Sequence, residues 1–275
     1  MRRLIGVAAL AVLVWGCRGG TARQDASGVA PGSAVTAKTA ALDSGANILQ
    51  SKGPISAISY YLDGFHPSKG DPAAQMEAHH YCTQLTEDFA QCVLYDGNSD
   101  TARLIGIEYI ISEQTYTTLP EEEKALWHPH NFEILSGQLR MPGVPDVAEK
   151  AALRRKINSY GKTWHTWMAG MSDGRNDQLP LGPPRLQWSF NRDGEVRPGL
   201  VNARDMRLGL STADARADRQ EFTTIARPQG GVDAMAGQFP RGGRLIPGVR
   251  DNGDQGTRPV PTFGLTAPAS APVDH

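Results

Sequence analysis

The sequence has no surplus of either charge: 28 basic side chains stand against 29 acidic ones, a net charge of -1 over 275 residues. Such a balance gives no general attraction to phosphate backbones, and nucleic acid is not an expected partner. Three cysteines are too few for a disulfide framework. There is no Gly-x-x-x-x-Gly-Lys loop, no Gly-x-Gly-x-x-Gly after a strand pattern and no Gly-x-Ser-x-Gly elbow, so the usual nucleotide and serine-hydrolase readings lose their support. What is present is 40% hydrophobic and 21% charged side chains, enough for one substantial core. Thirty glycines and nineteen prolines exceed ordinary usage and predict that a sizeable fraction of the chain is unpacked.

The N-terminus reads as an address. Arg2 and Arg3 precede an uncharged, mainly apolar run from Leu4 to Gly16. At about 1.5 Å per residue this run reaches roughly 20 Å, short of the ~30 Å hydrocarbon core. It therefore fits a secretory signal and not a spanning helix. Its end, Leu13-Val14-Trp15-Gly16-Cys17, resembles the cleavage box of bacterial lipoproteins, in which the cysteine is acylated and becomes the new N-terminus. Two or more acyl chains hold a protein stably, because each buried methylene contributes about 0.8 kcal/mol. Arg18, not aspartate, follows the cysteine, which favours the outer membrane over the inner. The expected organisation is a lipoprotein signal peptide over 1–16, lipid attachment at Cys17, a Gly/Ala/Ser/Thr-rich flexible tether over 17–52, a folded domain over 53–226, and a Pro/Gly-rich tail over 227–275 that is a loose arm or a strap over the domain.

Within the domain, His80–Leu85, Gln91–Tyr95 and Arg103–Ser112 are rich in β-favouring residues and separated by turn chemistry at Thr86-Glu87-Asp88 and Asp96-Gly97-Asn98. This predicts an antiparallel meander. The run Leu104–Ile111, apolar on both faces, predicts a central strand in which Glu108 requires a partner. Asn131–Met141 is a candidate fourth strand. Helices are expected after Pro120, where Glu121, Glu122 and Glu123 face the positive dipole end. A second is expected from Asp146 through Tyr160, with Gly161 as its left-handed stop. Asp71-Pro72 could also cap a helix running to His80. The fold class is α+β, an antiparallel sheet with a few packed helices.

The chemistry concentrates in histidine. Five of the seven fall in three aromatic-rich clusters, at His79 and His80, at His128 and His130, and at His165. Pro129 biases His128 toward extended geometry, so His128 and His130 could project together. One of His79, His80 or His165 would add a third nitrogen, and Glu133 or Glu77 a carboxylate, for a transition metal. The alternative is architectural: none of the spacings matches a metal signature, and histidines beside Trp and Tyr often pack and donate to carbonyls. Cys82 and Cys92 could pair across the first hairpin, closing a loop worth about 3 kcal/mol, or remain buried thiols. A Cys82–His80 nucleophile lacks any accompanying oxyanion motif.

Taken in order, Glu77-Ala78-His79-His80-Tyr81-Cys82, Gln91-Cys92-Val93-Leu94-Tyr95-Asp96, Ala102–Ile110, Leu126-Trp127-His128-Pro129-His130, Met141–Pro145, Tyr160–His165 and Leu179-Pro180-Leu181-Gly182 resemble the motif succession of the oil-body-associated proteins of plant seeds and their bacterial and fungal relatives. The resemblance covers roughly residues 60 to 225. It implies lipid-droplet association that keeps droplets small and stable, and it carries no reaction, cofactor or catalytic residue. The same cysteine pair in cytosolic plant members weighs against a disulfide. The domain has no apolar hairpin long enough to enter a droplet, so lipid contact is expected to be peripheral. The expected function is a non-enzymatic, lipid- or envelope-associated role with no required cofactor. The rival is a metal- or ligand-binding domain built on the histidines.

Overall fold

Side-chain alternation organises the molecule. In the computed structural model, which describes residues 32–169 and 178–253, the strands are β1 (Tyr60–Ser68), β2 (Asp71–Thr86), β3 (Phe89–Tyr95), β4 (Leu104–Ile111), β5 (His128–Pro129), β6 (Tyr160–His165) and β7 (Arg185–Gln187). The helices are α1 (Ala37–Leu49), α2 (Gly53–Ser56), α3 (Glu113–Thr117), α4 (Glu121–Lys124), α5 (Asn131–Leu135), α6 (Asp146–Arg154), α7 (Leu200–Leu208) and α8 (Thr212–Asp218). Two of the expected strands fall inside β2 and β3, the third, Arg103–Ser112, contains β4, and the Asp71–His80 stretch is strand, not helix. The turn at Asp96 is fixed by its carboxylate, which accepts from the Arg103 backbone N–H and from its Nε, each at 2.7 Å.

The meander is incomplete as a description. β1 to β4 follow one another, but β4 also pairs with β6, and β6 with β7, which returns to β1. Six strands thus close into an antiparallel barrel, which leaves neither β1 nor β4 as a free edge. β5 adds to the end of β6, with His128 opposite Gly161. β4 has a strand on each side, as a central strand must, but it is not buried on both faces: Leu104, Ile107 and Tyr109 are exposed while Ile105, Glu108 and Ile110 are buried. One face of β4 looks into the barrel and most of the other looks out.

Three further expectations give way to packing. Asn131–Met141 is not a strand. Its first five residues form α5 and are all buried, the polar Asn131 and Glu133 included, so the polar–apolar alternation that suggests a strand does not mark an exposed and a buried face. Within this stretch Arg140 makes a single isolated β-bridge to the sheet, with Asp63. α6 ends at Arg154, and Tyr160 and Gly161 belong to β6, where Tyr160 stacks on Tyr116 with centroids 3.6 Å apart. The expected tether contains α1, capped by Thr36 and burying no residue.

The C-terminal stretch is a strap as far as Gly253. Val232, Met235, Phe239, Ile246 and Val249 are buried in the main core, and Gln229 fastens the strap by accepting from Asn131 N at 2.9 Å and donating to Ser159 O at 2.9 Å. A boundary at residue 226 therefore cuts through one folded body. The signal, Cys17 and residues 254–275 lie outside the described residues. Cys82 and Cys92, direct partners across β2 and β3, are joined as a disulfide.

Candidate functional site

Adjacent residues in a strand point to opposite faces, and that rule divides the histidines. On β2, His80 points into the barrel and His79 points out. On β1, Leu62, Gly64 and His66 share the inward face; His66 stands opposite Met76, and Leu62 opposite His80. Glu108 enters from β4 opposite Thr163, and His165 enters from β6 opposite Gly106. His128 on β5 and His130 just before α5 complete the cluster.

Glu108 is its centre. The carboxylate is 3% exposed, and four imidazole Nε2 atoms stand around it: His80 at 3.0 Å and His66 at 3.7 Å from Oε2, His130 at 3.4 Å and His128 at 3.9 Å from Oε1. His165 is one step removed, with Nε2 3.4 Å from His66 Nδ1 and Nδ1 2.8 Å from Met76 Sδ. His130 is braced by Ser159 Oγ, 2.8 Å from its Nδ1. His128 differs from the rest, since both of its ring nitrogens are buried without a hydrogen-bond partner.

Burial and Coulomb forces set the charges. Burial alone would raise Glu108, but His80 and the hydrogen bonds of His130 and His80 outweigh it and hold its carboxyl well below the usual range. Burial would lower His80, but Glu108 outweighs it and raises that imidazole. Burial drives His66 and His128 well below the ordinary histidine value and His165 down to about 3. Glu133, beside this group, is pushed well up by burial and then by Glu108. Glu108 is thus biased toward its ionised form and His80 toward its protonated form, while His66, His128 and His165 are biased toward the neutral ring.

Gly161 makes the arrangement sterically possible. A Cβ there would stand 2.5 Å from Glu108 Oε1 and 2.6 Å from both His128 Nε2 and His130 Nε2. The cavity lined by Leu62, His66, His80, Glu108, His130 and Glu133 among others holds about 10 Å³, roughly the room of one water-sized sphere. Three groups of donors lie mutually within 4.8 Å among the described residues: His66, Glu108 and His128, and His128, His130 and Glu133, in this cluster, and Asp63, Glu77 and His79 outside it.

Of the five histidines singled out by sequence, His80, His128, His130 and His165 lie in the barrel and His79 does not. His79 sits on the outer wall, with Tyr61 OH 2.5 Å from Nδ1 and Asp63 and Glu77 carboxylates each at 3.3 Å. Arg204 from α7 pairs with Asp63, and Arg207 with Glu77, so this outer group is a charge-balanced dock for α7. Glu77 is thereby removed from the interior set. His66 was missed because it has no neighbouring histidine or Trp. The signal available was its even spacing with Leu62 and Gly64. Cys82 is bonded to Cys92, which leaves no thiol for a Cys–His nucleophile.

Fold and site together define a closed antiparallel barrel whose polar interior is imidazole and carboxylate. Residues 52–223 match the family described as "Protein of unknown function (DUF1264)". The chain is 39% identical over 212 residues to oil body-associated protein 1A of Zea mays, covering 77% of this chain and 86% of that one. It is 36% identical over 215 residues to oil body-associated protein 1B of Arabidopsis thaliana (78% and 86%), and 41% identical over 203 residues to oil body-associated protein 2A of Zea mays (73% and 79%). The chain belongs to the oil body-associated protein family. No solved structure matches it.

Proposed function

We propose that this protein is a membrane-anchored lipoprotein of the oil body-associated family, held at the cell envelope by acyl chains on Cys17, and that its role at a lipid surface is not catalytic. The family's relatives carry oil-body association in their names, and the Leu13–Cys17 box supplies a covalent route to a membrane. No helix among the described residues is long and apolar enough to cross a bilayer, so any membrane hold would come from outside them or from surface contact. The observation that carries the non-catalytic half is the enclosure of the histidine–glutamate cluster. About 10 Å³ leaves no space for an organic substrate beside the histidine–glutamate cluster, whereas ligand sites commonly span ~300–1,000 Å³. Outer-membrane placement follows from Arg18 after the cysteine.

The test is mass spectrometry of the N-terminal peptide together with fractionation of wild type and Cys17→Ala. The reading expects a diacyl- or triacyl-cysteine at position 17 and release of the variant from the membrane fraction. An unmodified, uncut N-terminus would overturn the anchor. Unchanged fractionation of Cys17→Ala would transfer the membrane hold to the domain itself.

A further inference from the structure

We infer that the barrel seats one divalent first-row transition metal ion on His66, Glu108 and His128, a property that does not depend on how the chain is anchored. His128 is the strongest pointer. A buried imidazole with both nitrogens unpartnered costs about 1–3 kcal/mol per orphaned group, and its nearest anionic neighbour, Glu108 Oε1 at 3.9 Å, is beyond hydrogen-bond reach. A cation between them would satisfy both.

Ligands about 2.0–2.2 Å from a tetrahedral ion stand ~3.4 Å from one another. His66 Nε2 lies 3.7 Å from Glu108 Oε2 and His128 Nε2 lies 3.9 Å from Glu108 Oε1, and one donor atom from each of the three residues falls within 4.8 Å of the others. The group closes on an ion by shifts of up to about 1.4 Å, or with the carboxylate engaged through both oxygens. Two imidazoles and a carboxylate form a borderline donor set suited to such ions, not to calcium or magnesium.

The surroundings have the form of an outer shell. His66 presents Nε2 to the centre while Nδ1 meets His165, itself set against Met76 Sδ. This chain of contacts fixes which nitrogen of His66 faces inward. His80 and His130 flank the two oxygens of Glu108 and are placed to fill further positions. Gly161 leaves free the space beside Glu108 Oε1, His128 Nε2 and His130 Nε2 that a Cβ would fill, and the adjoining cavity, lined by His66, Glu108 and His130, admits a single small sphere. An enclosed ion of this kind would serve to hold the barrel together, in keeping with the absence of space for a substrate.

The experiment uses the full chain purified without a histidine tag, stripped with chelator, and titrated with Co²⁺. Uptake is read by visible d–d absorption and by elemental analysis after desalting. One Co²⁺ per chain is expected, displaced by Zn²⁺, and His128→Ala and His66→Ala should each weaken it at least about 100-fold, more than an outer-shell change costs. His79→Ala, on the outer wall, should bind as wild type does. A wild-type protein that is folded by circular dichroism yet retains neither Co²⁺ nor Zn²⁺ overturns the inference, as does a folded His128→Ala or His66→Ala of undiminished affinity. The wild-type titration decides by itself where a variant does not fold.

Discussion

Gly161→Ala is the sharpest perturbation this barrel offers, because one methyl group would meet three donor atoms at once. Its Cβ would stand 2.5–2.6 Å from Glu108 Oε1, His128 Nε2 and His130 Nε2, where an ordinary contact is about 3.5 Å. Each atom must retreat by close to an ångström. None can do so freely: Glu108 is faced by His80 and His66, His130 is tied to Ser159, and all are buried. Overpacking of this sort costs typically about 1–3 kcal/mol, and the loosened contacts around Glu108 place the expectation at about 2–3 kcal/mol. Ordinarily Gly→Ala in a strand gains about 0.5–1 kcal/mol from unfolded-chain entropy and propensity, so the sign itself is diagnostic. The assay is thermal denaturation of wild type, Gly161→Ala and a control, Gly97→Ala, whose Cβ meets only Ala102 at 3.6 Å. At a slope of about 2–4 °C per kcal/mol for a body of this size, the melting temperature should fall by roughly 5–10 °C for Gly161→Ala and stay near wild type for the control. A Gly161→Ala protein as stable as wild type would refute the crowded geometry on which the site description rests.

Two other expectations follow from buried groups. The Cys82–Cys92 bridge closes an eleven-residue loop, so Cys82→Ala with Cys92→Ala should cost about 3 kcal/mol by chain entropy, measured as a lowered urea midpoint; reductant should shift wild type and leave the double variant unmoved. Lys69, donating to Ala125 O at 2.7 Å and lying 3.8 Å over Trp188, is lowered by burial to about 8. Below that value both states hold the proton and the burial cost is fully present. Between about 8 and the unfolded ~10.4 the unfolded chain binds more protons, so stability should rise with pH. Denaturation of wild type and Lys69→Met across pH 7.5–10.5 isolates this contribution. The wild type should gain on the variant as pH rises, and a constant difference would contradict it.

Local rules reached a long way along this chain. Period-two alternation and turn residues located β2, β3 and β4, and the same reasoning marked Glu108 as a buried charge in need of partners. Alternation also separates His79 from His80, since neighbours in a strand cannot share a face. Helix punctuation holds at the N-termini, near Pro120 and Asp146, and fails at Gly161. A glycine after a periodic run reads as a stop, and its actual use, leaving space for three side-chain atoms, has no local mark.

What the amino-acid order determined by itself is therefore the membership in a family, the strands of the first hairpins and the residue types from which a site could be made. The tertiary structure alone decided that β4 turns to β6, some fifty residues further on, and not outward to solvent. That pairing closes the barrel, carries His165 and Gly161 to Glu108, and brings in His66 from a strand that showed no cluster. Hydrogen bonding between distant strands depends on backbone groups that every residue possesses, so the chain carries no side-chain signature of its register until the whole sheet is assembled.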